Sequence, residues 1–248
     1  MASNTSTFRM LENALATALP AVRGVPFALR YAVFRRIFYS PEYNFAYFRL
    51  PKCANSTVVM TLYAAMSRKA GSMVAVPENY EGSVEAKAQA KRGLRAYALN
   101  SFLNRKAFTF TFVRDPRTRL LSCYLDKIMK GRPVYRHDLG MDLKPMSFLD
   151  FMSRLGDGYL QANPHWAPQS DLIPSGELDY VGHVETLQAD LQALIDRLFG
   201  LADFKVVTKE VDRTNSAAQL AQYYGPAEDA LVRKLFARDF ERFYPELL

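Results

Sequence analysis

Phe108-Thr109-Phe110-Thr111-Phe112-Val113 runs straight into Arg114-Asp115-Pro116, and this junction decides the fold class. An unbroken series of β-branched and aromatic residues suits a strand. Arg114-Asp115-Pro116 stops it and opens a helix, with Asp115 at the N-cap and Pro116 at the first helical position. That helix is expected to reach about Lys130, where Gly131 ends it.

The same order appears earlier in the chain. Ala46-Tyr47-Phe48-Arg49-Leu50 reads as a short buried strand. It leads into Pro51-Lys52-Cys53-Ala54-Asn55-Ser56-Thr57, then into a helical pattern through Val58, Val59, Leu62, Tyr63 and Met66 that ends near Gly71. Residues 8–38 read as helical, punctuated by Pro20 and Pro26, and 1–40 are taken as an N-terminal helical segment ahead of a domain over 41–248. Residues 84–104 read as helix and 131–147 as a basic loop. Within residues 156–177, Asn163-Pro164-His165-Trp166-Ala167-Pro168-Gln169 reads as an extended segment, because prolines disfavour a helix there. A strand over 178–184, a helix over 185–199, a short strand over 204–207 and two short helices complete the expectation. Strands alternating with helices predict an α/β, P-loop-like, three-layer fold with a central, mostly parallel sheet flanked by helices.

The composition sets limits. The chain has 248 residues, 49% of them hydrophobic, enough for a sizeable core. A net charge of +7 favours anionic partners without choosing among them. Two cysteines, Cys53 and Cys123, are too few for a disulfide framework and point to a reducing, cytoplasmic setting. Residues 1–7 lack a basic stretch followed by an apolar one, so no secretory signal is expected there. Nor does any stretch reach the ~18 uncharged apolar residues of a spanning helix. The basic, aromatic half of the N-terminal segment, 27–38, suits either peripheral contact with an anionic membrane or packing on the domain.

Two constellations carry chemistry. In the first, the loop after a strand opens a helix, so backbone N–H groups of Cys53, Ala54, Asn55, Ser56 and Thr57 face an anion and Lys52 adds a full charge. Ser56 and Thr57 add hydroxyl donors that can also cap the helix. The letters are not Walker A, which disfavours a metal–nucleotide phosphotransferase. In the second, Arg114 stands at the carboxyl end of a strand, and Arg119 and Ser122 share a helix face beyond it. A guanidinium plus a hydroxyl suits a phosphate monoester. The alternative for these residues is an ion-pair network around a helix cap. Lys127, Lys130, Arg132, Arg136 and His137 form either a groove for an acidic glycan or a solvated basic loop.

Together these segments resemble the two nucleotide-binding motifs of the sulfotransferase superfamily, which use 3′-phosphoadenosine 5′-phosphosulfate (PAPS). The likeness is closest to the carbohydrate sulfotransferases of the chondroitin and dermatan type. It continues through His165-Trp166-Ala167-Pro168-Gln169, Asp179-Tyr180-Val181-Gly182-His183-Val184-Glu185-Thr186-Leu187 and Arg213-Thr214-Asn215. The chain departs from Golgi relatives of this type in lacking an N-terminal anchor and cysteines over 167–180, which suggests a soluble, bacterial-type relative. The resemblance implies that Lys52 sits at the bridging oxygen of the phosphosulfate and that residues 53–57 hold the 5′-phosphate. It further implies that Arg114 and Ser122 bind the 3′-phosphate, and that Arg213, Thr214 and Asn215 close over the nucleotide. No metal is required on this reading. The acceptor is a carbohydrate, an acidic polysaccharide or lipid-linked glycan among the options, and not a nucleic acid. The acceptor's proton goes to His165, to His137 or to a carboxylate, or no base takes it, while His183, inside the last strand, reads as structural or as a neighbour of the adenine.

Overall fold

The computed structural model describes residues 14, 18, 20–71, 94–103, 106–131, 135, 137–140, 146–174, 178–206 and 214–248. Among them, four strands form one sheet in the order β1 (Ile37–Ser40), β2 (Phe45–Phe48), β3 (Phe108–Val113), β4 (Tyr180–His183). β1 runs antiparallel to β2, whereas β2, β3 and β4 are parallel. Their carboxyl ends therefore lie on one edge of the sheet.

Helices cover both faces because the strand residues alternate. Phe45, Tyr47, Phe110 and Phe112 point to one face, where Val58, Val59, Leu62 and Ala65 of α2 (Asn55–Lys69) meet Leu191, Leu194 and Ile195 of α7 (Leu187–Phe199). Ala46, Phe48 and Val113 point to the other. There they meet α1 (Phe27–Phe34), α3 (Leu94–Phe102), α4 (Pro116–Cys123), α5 (Phe148–Arg154), α6 (Gln169–Leu172), α9 (Pro226–Leu235) and α10 (Ala237–Phe243). α8 (Leu220–Tyr223) precedes α9. The sandwich is the expected three-layer α/β arrangement.

Gly182 marks how tightly β4 seats. A Cβ there would lie 2.5 Å from the ring of Phe112, which is fully buried and edge-on to Tyr47 and Tyr180. Gly182→Ala is expected to destabilise the protein by about 1–3 kcal/mol through overpacking. Urea denaturation of the variant against the parent measures it.

Several local expectations are corrected. The helical reading of 8–38 fails at its end, because Ile37–Ser40 pairs with β2 and so joins the sheet. Ile37, Phe38 and Tyr39 are buried there, an aromatic, β-branched run better suited to a pleat than to a helix. In α1, Leu29, Val33 and Phe34 pack into the core while Phe27 is exposed. The helix after Pro116 changes after Cys123 to a π-helical turn, Tyr124–Ile128. The segment read as extended, residues 163–169, ends one residue early, because Gln169–Leu172 is a helical turn with Pro168 just before it, and ahead of the segment a π-helical turn, Leu155–Tyr159, continues α5. Residues 204–206 form no strand, and among the described residues three α-helices rather than two close the chain. Of the helix read over 84–104, residues 84–93 lie outside the described residues, as does most of the 131–147 loop. Among the described residues, no helix is long and apolar enough to cross a membrane.

Candidate functional site

The loop after β2 departs from ordinary backbone at two places. Lys52 and Ala54 both have left-handed conformations, φ 68° and 52°. Neither is glycine, and such residues cost on the order of 1–3 kcal/mol each unless their surroundings enforce them. Left-handed residues set within a turn gather successive amides into a concavity suited to an anion. Ala54 is the N-cap of α2, and no side chain caps that helix. Ser56 and Thr57 thus lie inside the first turn instead of capping it, a correction to the sequence reading. Asn55 turns its side chain toward the strand: its amide donates to the Leu50 carbonyl at 2.8 Å and its oxygen accepts from the Tyr47 hydroxyl at 3.1 Å. What Asn55 offers outward is backbone.

Lys52 ion-pairs with Asp126 at 3.1 Å, and the same carboxylate takes Lys127 at 2.8 Å and Lys130 at 3.4 Å. Burial pulls the Lys52 ammonium below its ordinary value, against the opposing charge of Asp126. Burial works against the Asp126 carboxylate too, but Lys127 and Lys52 hold it well below the usual carboxylate range. Cys53 is fully buried, and its thiol, pushed up to about 11 by burial, donates to Gln169 Oε1 at 3.2 Å. Both cysteines are free.

The second loop docks on the first. Arg114 donates from Nη1 to the Lys52 carbonyl at 3.3 Å, from Nε to Thr118 at 3.1 Å and from Nη2 to Ser216 Oγ at 2.8 Å. Asp115 caps α4 as expected, accepting from Arg117 N, while its own N–H donates to Glu185 at 2.9 Å. Ser122 accepts from the Thr214 hydroxyl at 2.9 Å, so Arg114 and Ser122 both meet the 214–216 segment. Asn215 there has a left-handed φ of 46°. Arg213 lies outside the described residues.

Arg119 is not a free ligand. It is 1% exposed and its guanidinium donates to the carbonyls of Pro51, Ala167 and Pro164 at 3.1, 2.8 and 3.2 Å. It therefore clamps the first loop to the His165 segment. Gln169 does the same from the other side, accepting from Arg114 N at 2.9 Å and donating to the Arg114 carbonyl at 2.8 Å. Gln169, Asp126, Glu185 and Ser216 escaped the sequence reading. Only Gln169 and Glu185 fall within motifs already singled out, and that was their one signal.

His165 sits in a chain of three polar groups. Asn163 Nδ2 donates to Asp138, which leaves Asn163 Oδ1 toward His165. That oxygen accepts from the His165 N–H at 2.9 Å and lies 2.7 Å from Nδ1. The network assigns the proton to Nδ1 and leaves the lone pair on Nε2. Burial, with the cations Arg36, Lys127, Lys52 and Arg119, pushes the imidazole down to about 3. A neutral imidazole with a free lone pair can accept a proton. Trp166 beside it is core, fully buried, with its indole N–H on the Tyr159 carbonyl at 2.9 Å. His137 is 94% exposed, with Nδ1 3.9 Å from Asp138. His183 closes β4 with Nε2 3.3 Å from the Phe243 carbonyl. In the basic stretch, Lys127 and Lys130 share Asp126, and Arg132 and Arg136 lie outside the described residues.

The depressed His165 value has a consequence for stability. The folded state disfavours the imidazolium, so this contribution is complete above the unfolded value of 6.5 and is lost as pH falls toward 3. Between pH 7.5 and pH 5 the parent is expected to lose about 2 kcal/mol more stability than His165→Gln does. Equal losses, measured by urea denaturation at both pH values, overturn the assignment.

A P-loop-like α/β protein with a cationic anion loop at the carboxyl edge of its parallel strands is the class these features define. The comparisons narrow it: the model of the Sulfotransferase family matches residues 35–245, and the chain belongs to that family. It is similar to carbohydrate sulfotransferase 10 of Danio rerio, at 25% identity over 88% of this chain and 68% of the relative. The Xenopus laevis protein of the same name is 27% identical over 85% of this chain and 67% of its own. Carbohydrate sulfotransferase 14 of Mus musculus is 27% identical over 69% of this chain and 49% of its own. No solved structure matches the chain.

Proposed function

We propose that this sulfotransferase moves a sulfuryl group from PAPS to a hydroxyl of a carbohydrate, releasing adenosine 3′,5′-bisphosphate. The observation that carries the reading is the joining of the Lys52 loop, the Arg114 loop and the His165 segment by Arg119 and Gln169. Residues far apart in sequence thereby offer an amide cradle, cations and a base at one edge of the sheet. The names of the relatives support the carbohydrate acceptor.

In this reading the amides of residues 54–57 hold the 5′-phosphate, because the Cys53 N–H, expected to face the anion too, instead donates to the Leu50 carbonyl at 3.3 Å, and Arg114, Ser122 and the 214–216 segment hold the 3′-phosphate. The acceptor O–H gives its proton to His165 Nε2 as its oxygen forms the new bond to sulfur. The bridging S–O bond breaks and its electron pair stays on the 5′-phosphate. Lys52 stabilises that growing charge, an interaction stronger in the transition state than in the ground state. Sulfuryl transfer, like phosphoryl transfer, is mostly positioning and electrostatics, and the reading assigns no role to a metal. Free, buried thiols support a reducing, cytoplasmic setting.

The test is nucleotide selectivity. At a hundredfold excess over its Kd, adenosine 3′,5′-bisphosphate is expected to raise the melting temperature by about 5 °C or more. AMP and ATP, lacking a 3′-phosphate, should do far less. Equal shifts from all three overturn the 3′-phosphate assignment.

A further inference from the structure

Lys52, the cation assigned to the leaving group, has a carboxylate partner of its own. Its Nζ donates to Asp126 Oδ2 at 3.1 Å. Asp126 and Lys127 stand on the π-helical turn Tyr124–Ile128, whose wider winding is closed by the Met129 N–H on the Tyr124 carbonyl at 3.0 Å. Such turns are rare and gather at functional sites. Lys52, Asp126 and Lys127 are each at most 18% exposed, so their charges act on one another more strongly than in open water.

The carboxylate has partners to spare. Lys127 takes the same oxygen, Oδ2, at 2.8 Å, and Lys130 takes Oδ1 at 3.4 Å. Withdrawing Lys52 leaves both carboxylate oxygens paired, so Asp126 can release it without becoming an uncompensated buried charge. Lys52 has no such reserve. Burial works against its ammonium, and Asp126 is the foremost charge that supports it. It therefore leaves Asp126 only for another anion. A phosphosulfate on the amides of the same loop is one, and it competes with Asp126 for a single ammonium.

We propose that Asp126 is a positioning residue that holds Lys52 beside the anion loop and exchanges it for the donor's 5′-phosphate, keeping Lys127 and Lys130 as its own counter-ions. This exchange rests on the sulfotransferase reading above. What Lys52 gives the nucleotide it takes from Asp126, so in the parent it adds little net affinity and acts chiefly on the transfer step.

Adenosine 3′,5′-bisphosphate is titrated calorimetrically into the parent, Asp126→Asn, Lys52→Ala and the double variant. Asp126→Asn is expected to bind at least about tenfold more tightly than the parent, a direction that simple loosening of the turn would not give. In the Lys52→Ala background the same change should gain less than about threefold, the part due to losing a negative charge near an anion. Unchanged or weaker binding by Asp126→Asn, or an equal gain with and without Lys52, overturns the exchange. A crystal structure of the parent with bisphosphate decides the matter even where Asp126→Asn does not fold. Lys52 Nζ should stand on the 5′-phosphate, with Asp126 on Lys127 and Lys130 alone. Lys52 still within hydrogen-bond distance of Asp126 overturns the exchange. If the parent binds no bisphosphate, the donor reading fails and the exchange falls with it, whereas parental binding without the shift in Asp126→Asn sinks the exchange alone.

Discussion

Lys52→Ala is expected to slow single-turnover transfer from PAPS by at least ~10²-fold, about 3 kcal/mol, the loss of one preorganised group facing developing charge. The fold should survive, because the ion pair at Asp126 retains Lys127 and Lys130 when Lys52 is removed. The left-handed backbone at position 52 is no harder for alanine than for lysine. Bisphosphate affinity should fall much less than the rate, since the amide cradle and Arg114 remain. Rapid-quench transfer with EDTA present, alongside a bisphosphate titration, separates the two quantities. An alanine variant as fast as the parent, or parent turnover that requires a metal, overturns the assigned role of Lys52.

His165→Ala should lower kcat by about 10²–10⁴-fold, the range for a positioned general base, with bisphosphate binding intact. Because the imidazole is held down to about 3, the parent rate should not fall on acidification through pH 6.5, where an ordinary histidine would protonate. Asn163→Ala is the companion variant. It removes the acceptor that keeps the proton on Nδ1 and cuts the link to Asp138. It should cost less than the loss of His165, and its acid limb should move, a change that simple loosening of the segment would not produce. A His165→Ala enzyme near parental turnover would pass the proton to His137 or a carboxylate.

Much of this was local and therefore readable in the chain. The run from Phe108 to Val113 has the side chains of a doubly covered strand, and Asp115-Pro116 carries the chemistry of a helix start within two residues. The alternation of strands and helices, and the placing of Lys52, Arg114, Ser122 and His165 after or between them, followed from the same short-range signals.

What the tertiary structure decided is who meets whom. Arg119 has the letters of a phosphate ligand, yet three carbonyls from two distant segments surround it, because a buried guanidinium must find acceptors wherever the packing supplies them. Ile37–Ser40 is an aromatic, β-branched run, and its pairing with β2 completes it as a strand. Ala54 rather than Ser56 or Thr57 begins α2, since the loop closes through backbone strain enforced by its neighbours. The pairing of Lys52 with Asp126, 74 residues away, has no sequence signature at all. Composition and spacing determined which groups this protein can offer an anion, and long-range packing alone determined which of them face it.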